Sequence, residues 1–243
     1  MDANDENTDG RARAGGRARG AQARSDATRD RILAAALDVF GRMGFEGATT
    51  RSVANAAGVN LQAISYYFGG KEGLYTATAE YLAALIGVHI TPRRIEIARR
   101  LAELDAAGEA LSEAEARLIL HSVLETVASI FLGREADVWA RFLVREQMEP
   151  TEAFSKIYDG VMGPMLAAVG RLMATILHED PTSDYIRLRT LSFVGNILIY
   201  RIGRATVLRQ MSWDEIGEAE AAEVKRIVHG IIDDLVPVGE ATR

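Results

Sequence analysis

Residues 49–74 read TTRSVANAAGVNLQAISYYFGGKEGL. Thr49 is a residue type that caps helix starts, and it opens a short helix through Ala57 with Val53, Ala54 and Ala57 on its inner face. Gly58 supplies the backbone freedom that a sharp turn requires. Val59 plugs the corner, and Asn60 caps a second short helix that turns Ile64 and either Tyr67 or Phe68 inward. Ala54, four residues before Gly58, is small enough to let the two helices approach closely. This is helix-turn-helix spacing, with the second helix free to enter a major groove.

The outward face of that second helix carries groups suited to DNA. Gln62 can pair bidentately with adenine, Ser65 can donate or accept at either base, and Ala63 can touch a thymine methyl. Tyr66 and Tyr67 are long enough to reach phosphates or base edges. Thr49, Thr50 and the N–H groups at that helix start can hold a phosphate oxygen, as can Lys71 one helix later. Arg51 and Asn60 complete the candidate DNA-binding set. A plain helical hairpin with packed tyrosines is the competing reading. Two adjacent tyrosines on a short capped helix with little apolar surface weigh against it.

Outward from the motif the pattern stays helical. Ile32, Leu33, Ala36, Leu37, Val39 and Phe40 recur at three- and four-residue spacing, with Ser25 or Thr28 as a cap and Gly41 and Gly44 as stops. Ser112 with Glu115, and Ser212 with Glu215, have the form of capping boxes. Pro92, Pro150, Pro164, Pro181 and Pro237 mark boundaries or kinks. There is no sustained alternating β-branched run and no fixed repeat, so an all-α fold of about ten helices is expected. Ahead of it, residues 10–20 (GRARAGGRARG) offer no large apolar side chain, which predicts a disordered Arg/Gly-rich arm over 1–24.

Composition narrows the function classes. The 243 residues are 48% hydrophobic and 26% charged, ordinary for a globular chain long enough to bury a sizeable core. The absence of cysteine excludes disulfides, thiolate nucleophiles and Cys-ligated zinc. The net charge of −6 conceals an asymmetry: residues 10–71 hold ten bases against four acids, while residues 72–243 hold 18 against 26. A basic front on an acidic body suits a polyanionic partner, although a solvated bias without function has the same composition. Uncharged stretches such as 160–170 and 191–200 are about half the length of a spanning helix. No membrane span is expected, and without a signal-type apolar segment near the start the compartment expected is the cytoplasm.

The segment RDRILAAALDVFGRMGFEGATTRSVANAAGVNLQAISYYFGGKEGL resembles the N-terminal domain of TetR-family bacterial transcriptional regulators. The resemblance runs from residue 29 to about 82. It rests on Phe40 and Gly44, Phe45 and Gly47, Thr49-Thr50, Ala-Gly-Val, and the aromatic-aromatic-Phe-x-x-Lys-Glu-x-Leu run. It implies a three-helix DNA-binding domain over 25–82 and a helical effector-binding and dimerisation domain over 83–243. By position, Thr49, Thr50 and Lys71 look like phosphate contacts, and Gln62, Ala63, Ser65, Tyr66 and Tyr67 look like the recognition surface. Many members have tyrosine at the position of Ser65, so this chain departs from them there. The stretch from Trp139 to Leu177 is similar to the C-terminal domain of the CecR/CerR-like subgroup.

Two helices, near 152–178 and 184–209, are broadly apolar. The second offers Leu188, Leu191, Val194, Ile197, Leu198 and Ile202, more than one neighbour covers, and so suggests a homodimer contact. Candidate ligand-pocket residues are Phe131, Trp139, Phe142, Arg145, Phe154, Tyr158 and Met162, though aromatic and Met stripes also serve as plain core. Histidines 89, 121, 178 and 229 form no local metal motif. No nucleophile elbow, Walker loop or dinucleotide fingerprint occurs, so no catalytic residue, metal or cofactor is expected. The expected function is a one-component, ligand-released repressor. It would bind a palindromic double-stranded operator as a homodimer, with a small-molecule effector of unknown identity. An activator of the same family, or a helical ligand-binding protein with a vestigial DNA-binding domain, remain as alternatives.

Overall fold

The computed structural model describes residues 6–133 and 136–237, with side chains described from Gly20 onward except Ala21 and Asp105. All regular structure among the described residues is helical: α1 (Glu6–Gly47), α2 (Thr50–Ala57), α3 (Leu61–Phe68), α4 (Lys71–Ala107), α5 (Glu113–Leu132), α6 (Ala136–Met148), α7 (Glu152–Ile157), a π-helical turn (Tyr158–Met162), α8 (Gly163–Leu177), α9 (Asp184–Ile202), α10 (Arg204–Met211) and α11 (Glu218–Asp233). The chain divides into two units, with the boundary inside α4 between Thr78 and Ala79.

In the first unit, α1 supplies Ile32, Leu33, Ala36, Leu37 and Phe40 to a core shared with Val53, Ala54, Ile64 and Leu74. Each large side chain buried here contributes roughly 1.5–3 kcal/mol. Tyr75 meets Phe40 edge-on at 4.8 Å and Phe45 at 5.0 Å. Gly44 (φ 73°) breaks the helix as expected, whereas Gly41 lies within it. The start differs from expectation. Helix extends back to Glu6 across most of the stretch read as a disordered arm, whose Ala and Arg residues are good helix formers; residues 1–5 lie outside the described ones. Ser25 and Thr28 therefore lie inside α1 and cap nothing; the Thr28 hydroxyl donates back to the Arg24 carbonyl at 2.8 Å.

The second unit is built around α5, α8, α9 and α11, whose buried residues include Leu120, Leu124, Leu172, Ile176, Ile197 and Val228. Ser112 caps α5 as expected, accepting from the Glu115 N–H at 3.2 Å, but the Glu115 carboxylate turns to Arg100 rather than closing a box. The expected box at Ser212 does not form. Ser212 ends α10 in the left-handed region (φ 56°), and α11 starts later, where Glu220 accepts from the Gly217 N–H at 3.0 Å. Arg201, nearly buried on α9, donates to the carbonyls of Phe131 (2.7 Å) and Gly133 (2.5 Å) and pairs with Asp137, satisfying the open end of α5.

A polar ladder joins α5 to α11. His121 and His229 meet through Nδ1 at 2.6 Å, His229 Nε2 faces Glu125 at 2.8 Å, and Lys225 pairs with Glu125 at 2.7 Å. Lys225, then His229, hold the Glu125 carboxyl below the usual carboxylate range. Within helical residues 152–177 an 18-residue window reaches a mean hydropathy of 1.5, long and apolar enough by composition to cross a membrane, a length missed when only uncharged runs are counted. Their side chains Ile157, Val169, Leu172, Met173 and Ile176 are instead buried in the protein core.

Gly73, at the corner between α3 and α4, tolerates no side chain, because a methyl there would lie 2.0 Å from the Phe68 carbonyl oxygen. Gly73→Ala is expected to destabilise the N-terminal unit by about 1–3 kcal/mol through backbone displacement. Differential scanning calorimetry checks this; an unchanged Tm would contradict the corner geometry.

Candidate nucleic-acid interface

The motif over 49–74 folds through local hydrogen bonds. Thr49 Oγ1 accepts from the Ser52 N–H at 3.0 Å while Ser52 Oγ accepts from the Thr49 N–H at 3.1 Å, a reciprocal cap at the start of α2. Gly58 closes α2 in the left-handed region (φ 62°), and the Val59 N–H returns to the Ala54 carbonyl at 3.0 Å. Asn60 Oδ1 then accepts from the Gln62 N–H at 2.9 Å, and Gly69 (φ 74°) ends α3. Between these ends one side chain of α3, Ile64, is buried, at 1% exposure.

Fixing Ile64 inward sets the opposite face. Gln62, Ser65 and Tyr66 are exposed on one side of α3, Tyr66 to 81%. Ala63 is half-buried beside them. Tyr67 is also half-buried: its hydroxyl shares a 3.1 Å hydrogen bond with Ser25 Oγ of α1, and its ring supports Tyr66 edge-on at 5.0 Å. Of the two tyrosines, Tyr66 is the free probe and Tyr67 is its brace. Ser25 has a role in this brace that sequence alone could not supply, because 42 residues separate the partners.

The phosphate-contact candidates occupy the flanks. Thr49 is exposed but engaged as a cap, Thr50 is half-buried in the first turn of α2, and Arg51 is exposed beside it. Asn60 is exposed with its carbonyl oxygen occupied by the cap. Lys71 opens α4; its Nζ lies 4.4 Å from the Phe45 ring centre and 3.5 Å from the Glu46 carbonyl, a partly satisfied cation held at the rim. The arrangement offers one exposed face of α3 flanked by cations and backbone donors, a geometry compatible with the division between base and phosphate contacts that duplex recognition uses.

In the second unit, a cavity of about 870 Å³ opens between α4, α5, the π turn and α8. None of the seven expected ligand residues lines it. Phe142 and Trp139 are buried in packed core, and Phe131 packs against the main cluster. Phe154 and Tyr158 stack on each other at 5.8 Å, Met162 Sδ receives Gln147 Nε2, and Arg145 is exposed on α6. Aromatic periodicity marks where space is filled; a cavity needs smaller residues, and Ala84, Gly87, Ala167 and Ala168 line this one. His178 ends α8 in the left-handed region and lies 3.6 Å from Glu113. Among the described residues, no cluster of three His, Asp or Glu could hold a metal.

Comparison with known proteins places both units. The family described as bacterial regulatory proteins, tetR family, matches residues 32–78, and the C-terminal domain of the HTH-type transcriptional dual regulator CecR matches residues 116–236. The chain is 31% identical to the CecR protein of Shigella flexneri over 210 residues, covering 86% of this chain and 92% of that protein. Among solved structures, a TetR-family regulator from Mesorhizobium loti has a TM-score of 0.55 at 15% identity, covering 87% of this chain and 96% of its own. FadR from Bacillus subtilis, in complex with stearoyl-CoA, has a TM-score of 0.50 at 16% identity over 82% and 96%. At such identities the structures speak for the fold alone.

Tyr66→Ala is expected to cost at least tenfold in affinity for a specific duplex while leaving the Tm unchanged, since Tyr66 supports no core. Gln62→Ala should relax discrimination at a single base pair by about 1–3 kcal/mol. Fluorescence anisotropy against a set of single-substitution duplexes reads both. A fall in Tm with Tyr66→Ala would instead make that ring structural.

Proposed function

The chain belongs to the TetR family of bacterial regulatory proteins, with a C-terminal domain of the CecR type, and on that premise we propose that it is a cytoplasmic, homodimeric repressor released from DNA by a small molecule. That it is a DNA-binding transcriptional regulator and no enzyme follows from the family. The observation that carries the finer reading is the α3 face of Gln62, Ser65 and the 81%-exposed Tyr66, held by caps at both ends. Two copies of α3 would read the half-sites of a palindrome in successive major grooves, with Thr50, Arg51 and Lys71 holding the phosphates. An effector in the second unit would release DNA only to the extent that it prefers the non-binding conformation.

Support for the dimer comes from α9. Leu188, Leu191, Ile199 and Ile202 are each more than half exposed along one side of it, and a side chain at Gly195 would meet nothing within 4 Å. An apolar stripe of this kind is costly in water and suits a second copy of the same helix across a two-fold axis. A second reading, regulation of both signs, is favoured by the similarity to the Shigella flexneri CecR protein, a dual regulator. The helix-turn-helix chemistry is the same for either sign.

The regulator reading is tested by anisotropy of the purified protein on the duplex upstream of its own gene, beside a scrambled duplex of equal length, at physiological salt. A preference on the order of a thousandfold is expected. Equal, weak, salt-sensitive binding to both would favour the vestigial-domain alternative. For the dimer, Leu191→Glu should convert a particle of twice the chain mass to a monomer in sedimentation velocity, with helical content retained. A monomeric wild-type protein would overturn that contact.

A further inference from the structure

The 870 Å³ cleft of the second unit has a lining of uneven chemistry. Among the described residues it is aliphatic apart from three threonines and three arginines, Arg93, Arg94 and Arg171, and no described Asp or Glu contributes to it. Arg93 is committed to Glu96 at 2.6 Å. Neither Arg94 nor Arg171 forms an ion pair among the described residues, although both are exposed to the cleft and its solvent. Uncompensated guanidinium groups beside an apolar wall form a site that favours negative charge.

The two free arginines also stand at matching heights. Where the π turn meets α4, a methyl on Gly160 would come within 3.3 Å of the Ala83 methyl, so the walls touch there. Toward the far end, Arg100 of α4 binds Glu115 and His178, just past α8, lies 3.6 Å from Glu113; both acids belong to the first turn of α5. The two walls therefore run in the same sense from the Ala83–Gly160 contact. Arg94 and Arg171 each lie eleven residues beyond that contact, about 16 Å at a helical rise of 1.5 Å per residue. Between the contact and the arginines the lining is Ala84, Gly87, Val88, Val161, Met165 and their mostly aliphatic neighbours, with Thr91 and the Glu96-paired Arg93 the polar exceptions.

We propose that this cleft binds an amphipathic organic anion, with its hydrocarbon chain toward the Ala83–Gly160 contact and its single carboxylate or phosphate head between Arg94 and Arg171. The proposal rests on the effector-binding reading above and specifies its chemical class. The guanidinium pair discriminates by charge, because a neutral head would leave both cations without a partner; the aliphatic wall takes the chain without further discrimination. Arg93, neutralised by Glu96, plays no part in that choice.

The test is isothermal titration calorimetry of the full chain with dodecanoate, dodecyl phosphate, dodecanol and dodecylamine, each below its micellar concentration. At least one of the two anions should bind tenfold or more tightly than dodecanol, and dodecylamine should bind most weakly. The tighter of the two anions identifies the head. The R94Q/R171Q double variant should reduce anion affinity to the dodecanol level with dodecanol binding and Tm unchanged, and R93Q should leave all four affinities as they were. Equal binding of anion and alcohol, no binding of either anion, or anion binding that survives R94Q/R171Q would each overturn the proposal. Specific duplex binding by the same ligand-free preparation is measured in parallel. If it persists while the anions fail, the ligand class is wrong and the regulator reading stands; if it is absent while the anions bind, the reverse holds.

Discussion

An eight-residue helix in isolation is marginal in water, and the face that α3 offers to a partner depends on how that helix is held. Its single buried anchor, Ile64, fixes the rotation about the axis. The Asn60 cap and the left-handed Gly69 fix where the helix begins and ends. The Tyr67–Ser25 hydrogen bond ties it to α1, and Gly73 lets α4 pass within reach of the Phe68 carbonyl. With one strong apolar contact instead of several, most of the α3 surface stays available for contacts outside the chain. The cost is that few interactions hold the orientation, so each holds a larger share of it.

What the sequence reveals of this arrangement follows the range of the forces involved. Caps and left-handed glycines act within three or four residues, so Thr49, Gly58 and Asn60 could be placed from spacing alone. Tyr66 and Tyr67 look alike in sequence; a contact across 42 residues separates exposed probe from braced support. Ser212 shows the limit of local signals. Its i, i+3 pairing with Glu215 is that of a capping box, yet the same residue ends the preceding helix in the left-handed region. Periodicity likewise located buried aromatic positions such as Phe142 and Trp139 without separating filled space from empty space. The cleft lies where alanines and glycines of α4 and α8 leave room, a property of two facing walls that neither wall shows alone.

Charge is organised by the same distinction. In the second unit several half-buried cations are paired: Arg201 closes α5, Arg117 binds the carbonyl of Ile232 at the end of α11, and Lys225 binds Glu125, whereas the half-buried Arg189 leaves its Nε without a hydrogen-bond partner. Buried charges need such partners, whereas exposed ones do not. Arg94 and Arg171 differ in standing at an apolar cleft that no acid lines among the described residues. The histidine pair at α5 and α11 belongs to the first group, a stitch between helices 108 residues apart.

The central claim is that α3 reads DNA from the major groove with the Gln62–Tyr66 face. Dimethyl sulfate footprinting on the upstream duplex tests it directly, since guanine N7 lies in the major groove and adenine N3 in the minor. Protection of guanine N7 in two patches on one face of the duplex, centred about 34–36 Å or a multiple of that apart, is the expected result. Protection confined to adenine N3, or a footprint without two-fold symmetry, would contradict it.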